Sequence, residues 1–482
     1  MTSFLDCVKG TSIELGTATG SVADPLYNAV RAANFNMYVA ENCCKMCYMS
    51  PKQGTVAFNA EASKMIADAK ASGKLLKFTP FAWDQQTAWW YSQLPVAQKA
   101  AALECYVKAA AALSASAGFY KLDVVNEALD NGLCIRPFFA EVGGEAFIVN
   151  CFKWAAAANP KAILVYNDYG ITTDGARAGA VRALVQRLKA AGAPIHEVGI
   201  QSHDFVGRYD GSHLTPFNIA LNMQLFKDLG VRVNFSEIDL RCDPGPLDPS
   251  LTLEQRFQAS ASAFYTLFKT GLSRPDICNN MTFWQFSGKY NWIPICYNID
   301  PMYCAVPWGN SVEELPAVAS VKQALLEVAP LHTPCSAFVP YKPAVVAGPF
   351  GIKPWTGKSG FVDPTAMWIW NTPGAATSAP AGRVVFEEFL DIVDSTAAVV
   401  HAMVDNTCTI FLNGQNIGTV AGSGWKTTAY TKKPITLQPG RNAIMFMANN
   451  GSVGPGGLLY SVVDATTQAV IGHSDETTVY LA

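Results

Sequence analysis

The chain has 482 residues, half of them hydrophobic and only 15% charged, with a formal net charge of −3. That length exceeds one ordinary core, so two domains are expected, and the composition suits large buried sheets. Lys and Arg are scattered rather than clustered, and no apolar run is long enough to cross a bilayer, which argues against nucleic-acid or membrane partners.

At the N-terminus, "MTSFLDCVKGTSIELG" lacks a basic segment followed by an apolar one, so no signal peptide is visible. Thirteen cysteines, an odd count, leave the redox compartment open. Cys43, Cys44 and Cys47 form the one cluster. It reads as disulfides or buried thiols on a helical turn rather than as a zinc or redox site, because no second Cys/His cluster completes a tetrahedron. Sequons at Asn280 and Asn450 are candidate glycan sites if the chain is secreted.

Eight short β-prone runs follow in order: "IELGTAT" (13–19), "NMYVAEN" (36–42), "KFTPFAW" (77–83), "KLDVVNE" (121–127), "AILVYND" (162–168), "EVGIQSH" (197–203), "RVNFSEID" (232–239) and "MTFWQFS" (281–287). Helical patterns such as "EASKMIADAKASG" and "GARAGAVRALVQRLKAAG" lie between most of them. Strand then helix, repeated eight times, predicts a parallel (β/α)8 TIM barrel over residues 1–332.

In such a barrel every strand's C-terminal end opens on one mouth. The polar and aromatic residues at those ends are Glu41 and Asn42, Trp83, Asn126 and Glu127, Asn167 and Asp168, Gln201 and His203, Glu237 and Asp239, and Trp284. Glu127 and Glu237 are the natural pair. An acid against apolar walls has its pKa raised and can donate a proton, while a better hydrogen-bonded partner stays ionised. Two such carboxylates among aromatics describe glycoside hydrolysis, with Trp83, Trp89, Trp90, Trp284 and Trp292 as candidate platforms for the flat faces of sugars.

Residues from about Gly16 to 330 resemble glycoside hydrolase family 10, the endo-β-1,4-xylanases, through "DVVNEA" (123–128), "FSEIDL" (235–240), "GIQSH" (199–203), "LVYNDY" (164–169) and "FWQFSGKYNW" (283–292). The resemblance implies a retaining xylanase, with Glu127 as acid/base, Glu237 as nucleophile and Asn126 on the sugar's 2-hydroxyl. It implies that His203 bonds the nucleophile and is held by Asp239. Glu41, Asn42, Lys45, Trp83, Gln86, Gln201, Trp284 and Trp292 match the family's sugar contacts. It also implies xylan as the partner, a monomer acting outside the cell, and neither cofactor nor metal. A retaining pair needs its carboxyls roughly 5–5.5 Å apart, an inverting pair about 6.5–9.5 Å.

The third strand departs from the family. "KFTPFAWDQQ" (77–86) keeps Trp83 and Gln86 but places Thr79 and Asp84 where the family writes histidines, and Cys43, Cys44 and Met46 replace customary residues after Glu41 and Asn42. Altered subsite affinity or pH response is the expected consequence.

Beyond residue 332 the texture changes. Residues 333–360 are rich in Pro and Gly and read as a linker or irregular entry. Residues 361–482 carry short alternating runs, with Asn413-Gly414 as a hairpin signal, and predict an all-β jelly-roll sandwich. This part is similar to galactose-binding-like modules. Trp368, Trp370, Trp425 and Tyr460 are candidate carbohydrate contacts, although the alternation in "MWIW" equally suits a core face. Two other readings stand beside the xylanase. One is a non-catalytic or altered-specificity carbohydrate-binding protein on the same barrel. The other is a metal-dependent hydrolase using His203, Asp239 and Asp168, which has few histidines for such a site.

Overall fold

The computed structural model describes residues 2–20, 22–206, 214–244, 247–332, 341–355, 361–413, 415–421 and 429–481. It divides into two compact units, Met1–Ala337 and Phe338–Ala482.

In the first unit the strands are β1 (Glu14–Thr19), β2 (Met37–Ala40), β3 (Leu75–Phe78), β4 (Lys121–Asn126), β5 (Ile163–Asp168), β6 (Glu197–Ile200), β7 (His203–Phe205), β8 (Arg232–Arg241) and β9 (Asn280–Phe283). They run in the order β6-β5-β4-β3-β2-β1-β9-β8, and β6 pairs with β8 to close an eight-stranded barrel. Every ladder is parallel. The short β7 extends the mouth, pairing His203 with Asp239. The expected TIM barrel is therefore present, and most strands fall within a residue or two of their predicted places.

The third strand differs more. It begins at Leu75 and stops at Phe78, because Pro80 has no N–H to continue the ladder. Pairing resumes beyond it, where Phe81 and Ala82 donate their backbone N–H groups to the carbonyls of Asp123 and Val124.

The helices carry the expected end signals. Asn59 caps Ala60–Ala71 by accepting from the Ala62 N–H, and Thr252 with Gln255 forms a capping box at the start of Leu253–Leu272. Gly73 and Gly192, just beyond the two helices anticipated from sequence, take φ of +63° and +84°.

The barrel floor is ionic. Lys121 Nζ lies 3.0 Å from both Glu14 Oε2 and Glu197 Oε2, joining the first residues of β4, β1 and β6. One layer higher, Lys77 pairs with Asp123 at 3.1 Å. All twelve described cysteines are free thiols, and Cys43 and Cys44 are buried, so that cluster is of the buried-thiol kind. Asn280 and Asn450 are also buried, with their side-chain amides bonded to backbone carbonyls, which rules out glycans on either in the folded chain. Among the described residues, no helix is long and apolar enough to cross a membrane.

The second unit is a β-sandwich of two antiparallel sheets. One runs in the order Tyr341–Pro343, Val479–Leu481, Gly382–Ile392, Gly440–Asn450, Thr407–Leu412, Gln415–Ala421. The other runs Val345–Pro349, Met367–Trp370, Gly457–Asp464, Thr396–Asp405, Ala429–Leu437, with Val470–His473 beside Gly457–Asp464. The stretch expected as a linker thus contains two strands. Gly414, Trp425 and residues 333–340 and 356–360 lie outside the described residues, and with them the turn of the expected hairpin.

Three of the four aromatics offered as carbohydrate contacts, Trp368, Trp370 and Tyr460, are core instead. Trp368 is 0% exposed and stacks on Trp355 at 4.3 Å. Trp370 packs against Phe386, and Tyr460 stacks on Phe446 at 4.1 Å. The strand is buried along Trp368, Ile369 and Trp370, with Trp368 in one apolar cluster beside Trp355 and Ile369 and Trp370 in another, so the alternation in the sequence does not mark one common face.

Candidate active site

The strand ends converge as the sequence pattern requires. Asn126 on β4 and Asn167 on β5 are register partners. Asn167 donates from Nδ2 to Asn126 Oδ1 at 2.8 Å and to Glu237 Oε1 at 2.6 Å. Asn126 in turn donates to Glu127 Oε1 at 3.1 Å. A chain of two amides therefore connects the two glutamates. Ser236 fixes Asn167 from the other side, donating to its Oδ1 at 2.6 Å. Gly199, opposite Asn167 on β6, makes the room: a Cβ there would stand 2.1 Å from Asn167 Oδ1.

The surroundings push the two acids in opposite directions. Burial raises the pKa of Glu127 above the ordinary carboxylate range, and the charge of Glu237 adds to the rise; the hydrogen bond from Gln201 and the nearby Trp83 indole oppose it. Gln201 donates to Glu127 Oε1 at 2.9 Å. Burial also acts to raise Glu237, but the His203 imidazolium, Lys77 and Asn167 outweigh it and hold Glu237 below its usual value. His203 Nε2 lies 3.1 Å from Glu237 Oε2 and its Nδ1 lies 2.9 Å from Asp239 Oδ2. Desolvation works against charging the imidazole, yet the two carboxylates prevail and lift it to about 10. The Trp292 indole N–H donates to the same Asp239 oxygen at 2.8 Å.

A polar set adjoins this pair. Lys45 donates to Asn42 Oδ1 at 2.9 Å and Gln86 Oε1 at 2.6 Å, with its ammonium over the rings of Trp83 and Trp284 at 4.9 and 5.5 Å. Glu41 accepts from Gln285, whose carbonyl accepts from the Tyr27 hydroxyl at 2.6 Å. Glu127, Ser202 and Gln285 sit at or just past strand ends with φ of +54°, +56° and +66°, and Gln86 beyond β3 takes +47°. Left-handed backbone at four non-glycine residues is strain of the kind that clusters at functional sites, because it turns a side chain into the mouth instead of onward along the strand.

The barrel residues singled out for a site are thus brought together at this mouth, except for Asp168, Trp89 and Trp90. Asp168 is turned onto Arg177 at 2.7 Å and Tyr166 at 2.7 Å, so it does not join His203 and Asp239 in a metal-binding triad. Among the described residues no group of three or more His, Cys, Asp or Glu side chains is arranged to hold a metal. Of the aromatics, Trp90 is half-buried with its N–H on the Ser50 carbonyl, whereas Trp89 is 78% exposed. Thr79 is buried, and Asp84 pairs with Arg136 at 2.9 Å.

Sequence reasoning missed Arg136, Ser236 and Gln285 and gave Asn167 no role. Ser236 and Gln285 directly adjoin Glu237 and Trp284, a signal that was available. Arg136 lies in a loop nine positions past Glu127, where nothing in the pattern marks it.

The sequence profile for Glycosyl hydrolase family 10 matches residues 4–324. The chain is 32% identical over 346 residues to endo-1,4-beta-xylanase 5 of Pyricularia oryzae, covering 69% of this chain and 80% of that protein. It is 31% identical over 301 residues to endo-1,4-beta-xylanase D of Talaromyces funiculosus, covering 60% and 68%. Native xylanase 10B from Thermotoga maritima superposes with a TM-score of 0.61 at 24% identity, over 68% of this chain and 100% of that one, a likeness of fold.

Proposed function

The chain belongs to glycosyl hydrolase family 10, and from that premise we propose that it is a retaining endo-β-1,4-xylanase in which Glu127 is the acid/base and Glu237 the nucleophile. The observation that carries this reading is two carboxyls tied together through Asn126 and Asn167, whose surroundings push their pKa values in opposite directions.

In the first step Glu127 gives its proton to the departing glycosidic oxygen while Glu237, kept ionised by His203, attacks the anomeric carbon. Forming the glycosyl ester removes the negative charge of Glu237. The pKa of Glu127 then falls, and the same group serves as base for the incoming water. Asn126, bonded to both Glu127 and Asn167, is placed to meet the sugar's 2-hydroxyl. Lys45, Asn42, Gln86 and Glu41 offer donors and acceptors for the next sugar's hydroxyls, with Trp83 and Trp284 beneath its C–H faces. Action outside the cell fits a polymeric substrate of this kind.

Reducing-sugar release from xylan by the wild type and by Glu237→Gln tests the reading. Release confined to the wild type, with a β-anomer as the first product by NMR, is expected. Equal release by both proteins, or a first product of α configuration, would overturn it.

A further inference from the structure

We propose that the Asp84–Arg136 ion pair is a positioning device that sets how strongly Glu127 holds its proton, a role that rests on the acid/base reading of Glu127.

The geometry distinguishes the two oxygens of Glu127. Oε1 accepts N–H groups from Asn126 and Gln201. An oxygen that accepts two donors is the carbonyl-like one, so the transferable proton resides on Oε2. Oε2 is the oxygen facing Arg136, whose Nη2 stands 3.7 Å away. That gap is too long for a hydrogen bond but well within the range of the guanidinium's field.

Arg136 is held there from three other sides. Its Nε donates to the Leu129 carbonyl at 3.0 Å, Nη1 to Asp84 Oδ2 at 2.9 Å, and Nη2 to the Tyr169 hydroxyl at 3.3 Å. The second oxygen of Asp84, Oδ1, is buried with no hydrogen-bond partner among the described residues, so Arg136 supplies the ion pair that Asp84 makes. The two charges are matched to each other and aimed at Glu127.

Their effects on Glu127 oppose one another. Arg136 alone would favour the carboxylate and weaken the acid's hold on its proton. Asp84 cancels enough of that field to keep Glu127 protonated for the first step, while the cation still steadies the carboxylate that forms afterwards. Asp84 also replaces a family histidine. A histidine in that place would titrate near neutrality, whereas Asp84 brings a carboxylate to the Arg136 guanidinium. The other charged or titratable groups facing Glu127 are Glu237 on β8, Asp168 and Tyr169 at the end of β5, Lys45 after β2 and Tyr297 after β9. Tyr169 loses the Arg136 donor in Arg136→Gln, whereas Asp84→Asn leaves that bond in place.

The test is the pH profile of kcat/KM on xylan, whose alkaline limb reports loss of the Glu127 proton. Asp84→Asn is expected to move that limb to lower pH and Arg136→Gln to higher pH, each by about half a unit or more, with the double variant returning close to the wild type. A merely structural pair would lower the rate without moving the limb. Shifts in the same direction, or none, would overturn the proposal. If the wild type does not cleave xylan, the acid/base reading has failed by itself. A carbon-13 NMR titration of the Glu127 carboxyl in the resting protein then decides the electrostatic claim, with the same opposite displacements expected and their absence sinking it.

Discussion

Asn167 Nδ2 lies 2.6 Å from Glu237 Oε1 while also serving Asn126 Oδ1 at 2.8 Å. One amide thus sets the position of the proposed nucleophile and of the residue aimed at the sugar.

Replacing Asn167 with Ala removes both contacts: Glu237 Oε1 loses its amide donor, while Asn126 Oδ1 keeps the longer bond from Gln201 at 3.2 Å. A hydrogen bond to a charged group contributes about 1.5–3 kcal/mol, so kcat should fall by roughly one to two orders of magnitude. Steady-state kinetics on xylan with circular dichroism as a folding control checks this. Gly199→Ala should show a milder version of the same defect, because its methyl would displace Asn167 Oδ1.

His203→Asn removes the cation that keeps Glu237 ionised. The pKa of Glu237 then rises, and the acidic limb of kcat/KM, where the nucleophile becomes protonated, moves to higher pH. The stability effect has the opposite pH dependence. His203 is raised to about 10 in the folded chain. Its charge pairing therefore stabilises fully below the unfolded value of about 6.5 and is lost as pH rises toward 10. The difference in thermal midpoint between wild type and variant should shrink across that interval, and a constant difference would contradict it.

Sequence made the barrel and the mouth legible for a definite reason. Strands buried on both faces read as largely apolar runs, and the polar residues toward their C-terminal ends, such as Asn126-Glu127 and Glu237, mark the open end. The barrel floor was illegible for the converse reason. Glu14, Lys121 and Glu197 begin their strands, and charges at strand starts look like surface residues until three of them meet inside a closed cylinder. Arg136 escaped notice because only the path of its loop brings it to Glu127. In the sandwich, alternation suggested that Trp368 and Trp370 share one face, but they join separate apolar clusters because Trp355, distant in the pattern, stacks on Trp368 alone.

Lys121→Met isolates that floor. It leaves Glu14 and Glu197 buried without their cation, which should cost about 3–5 kcal/mol, whereas Glu14→Gln, Lys121→Met and Glu197→Gln together should recover most of the loss. The denaturant midpoint of activity loss measures both. Because Glu197 is held below its ordinary pKa, the ion pair's contribution is present above the unfolded value of about 4.3 and lost as pH falls. The penalty in the single variant should therefore diminish in acid.

Trp368 separates a core role from a ligand-binding one in the second unit. Its ring is fully buried against Trp355, and the Trp355 indole N–H donates to Asp405 Oδ2 at 3.1 Å. Trp368→Ala would empty that stack, and truncating a buried Trp costs about 3–5 kcal/mol. The sandwich should therefore unfold at markedly lower denaturant while cleavage of short soluble xylo-oligosaccharides, which needs only the barrel mouth, keeps its kcat. Trp368→Phe retains most of the stacking area and should recover over half of the lost stability. A ring that instead held polysaccharide would give the reverse pattern: an unchanged unfolding transition together with weaker retention on insoluble xylan. Measuring the transition and the retention on the same two variants decides between them.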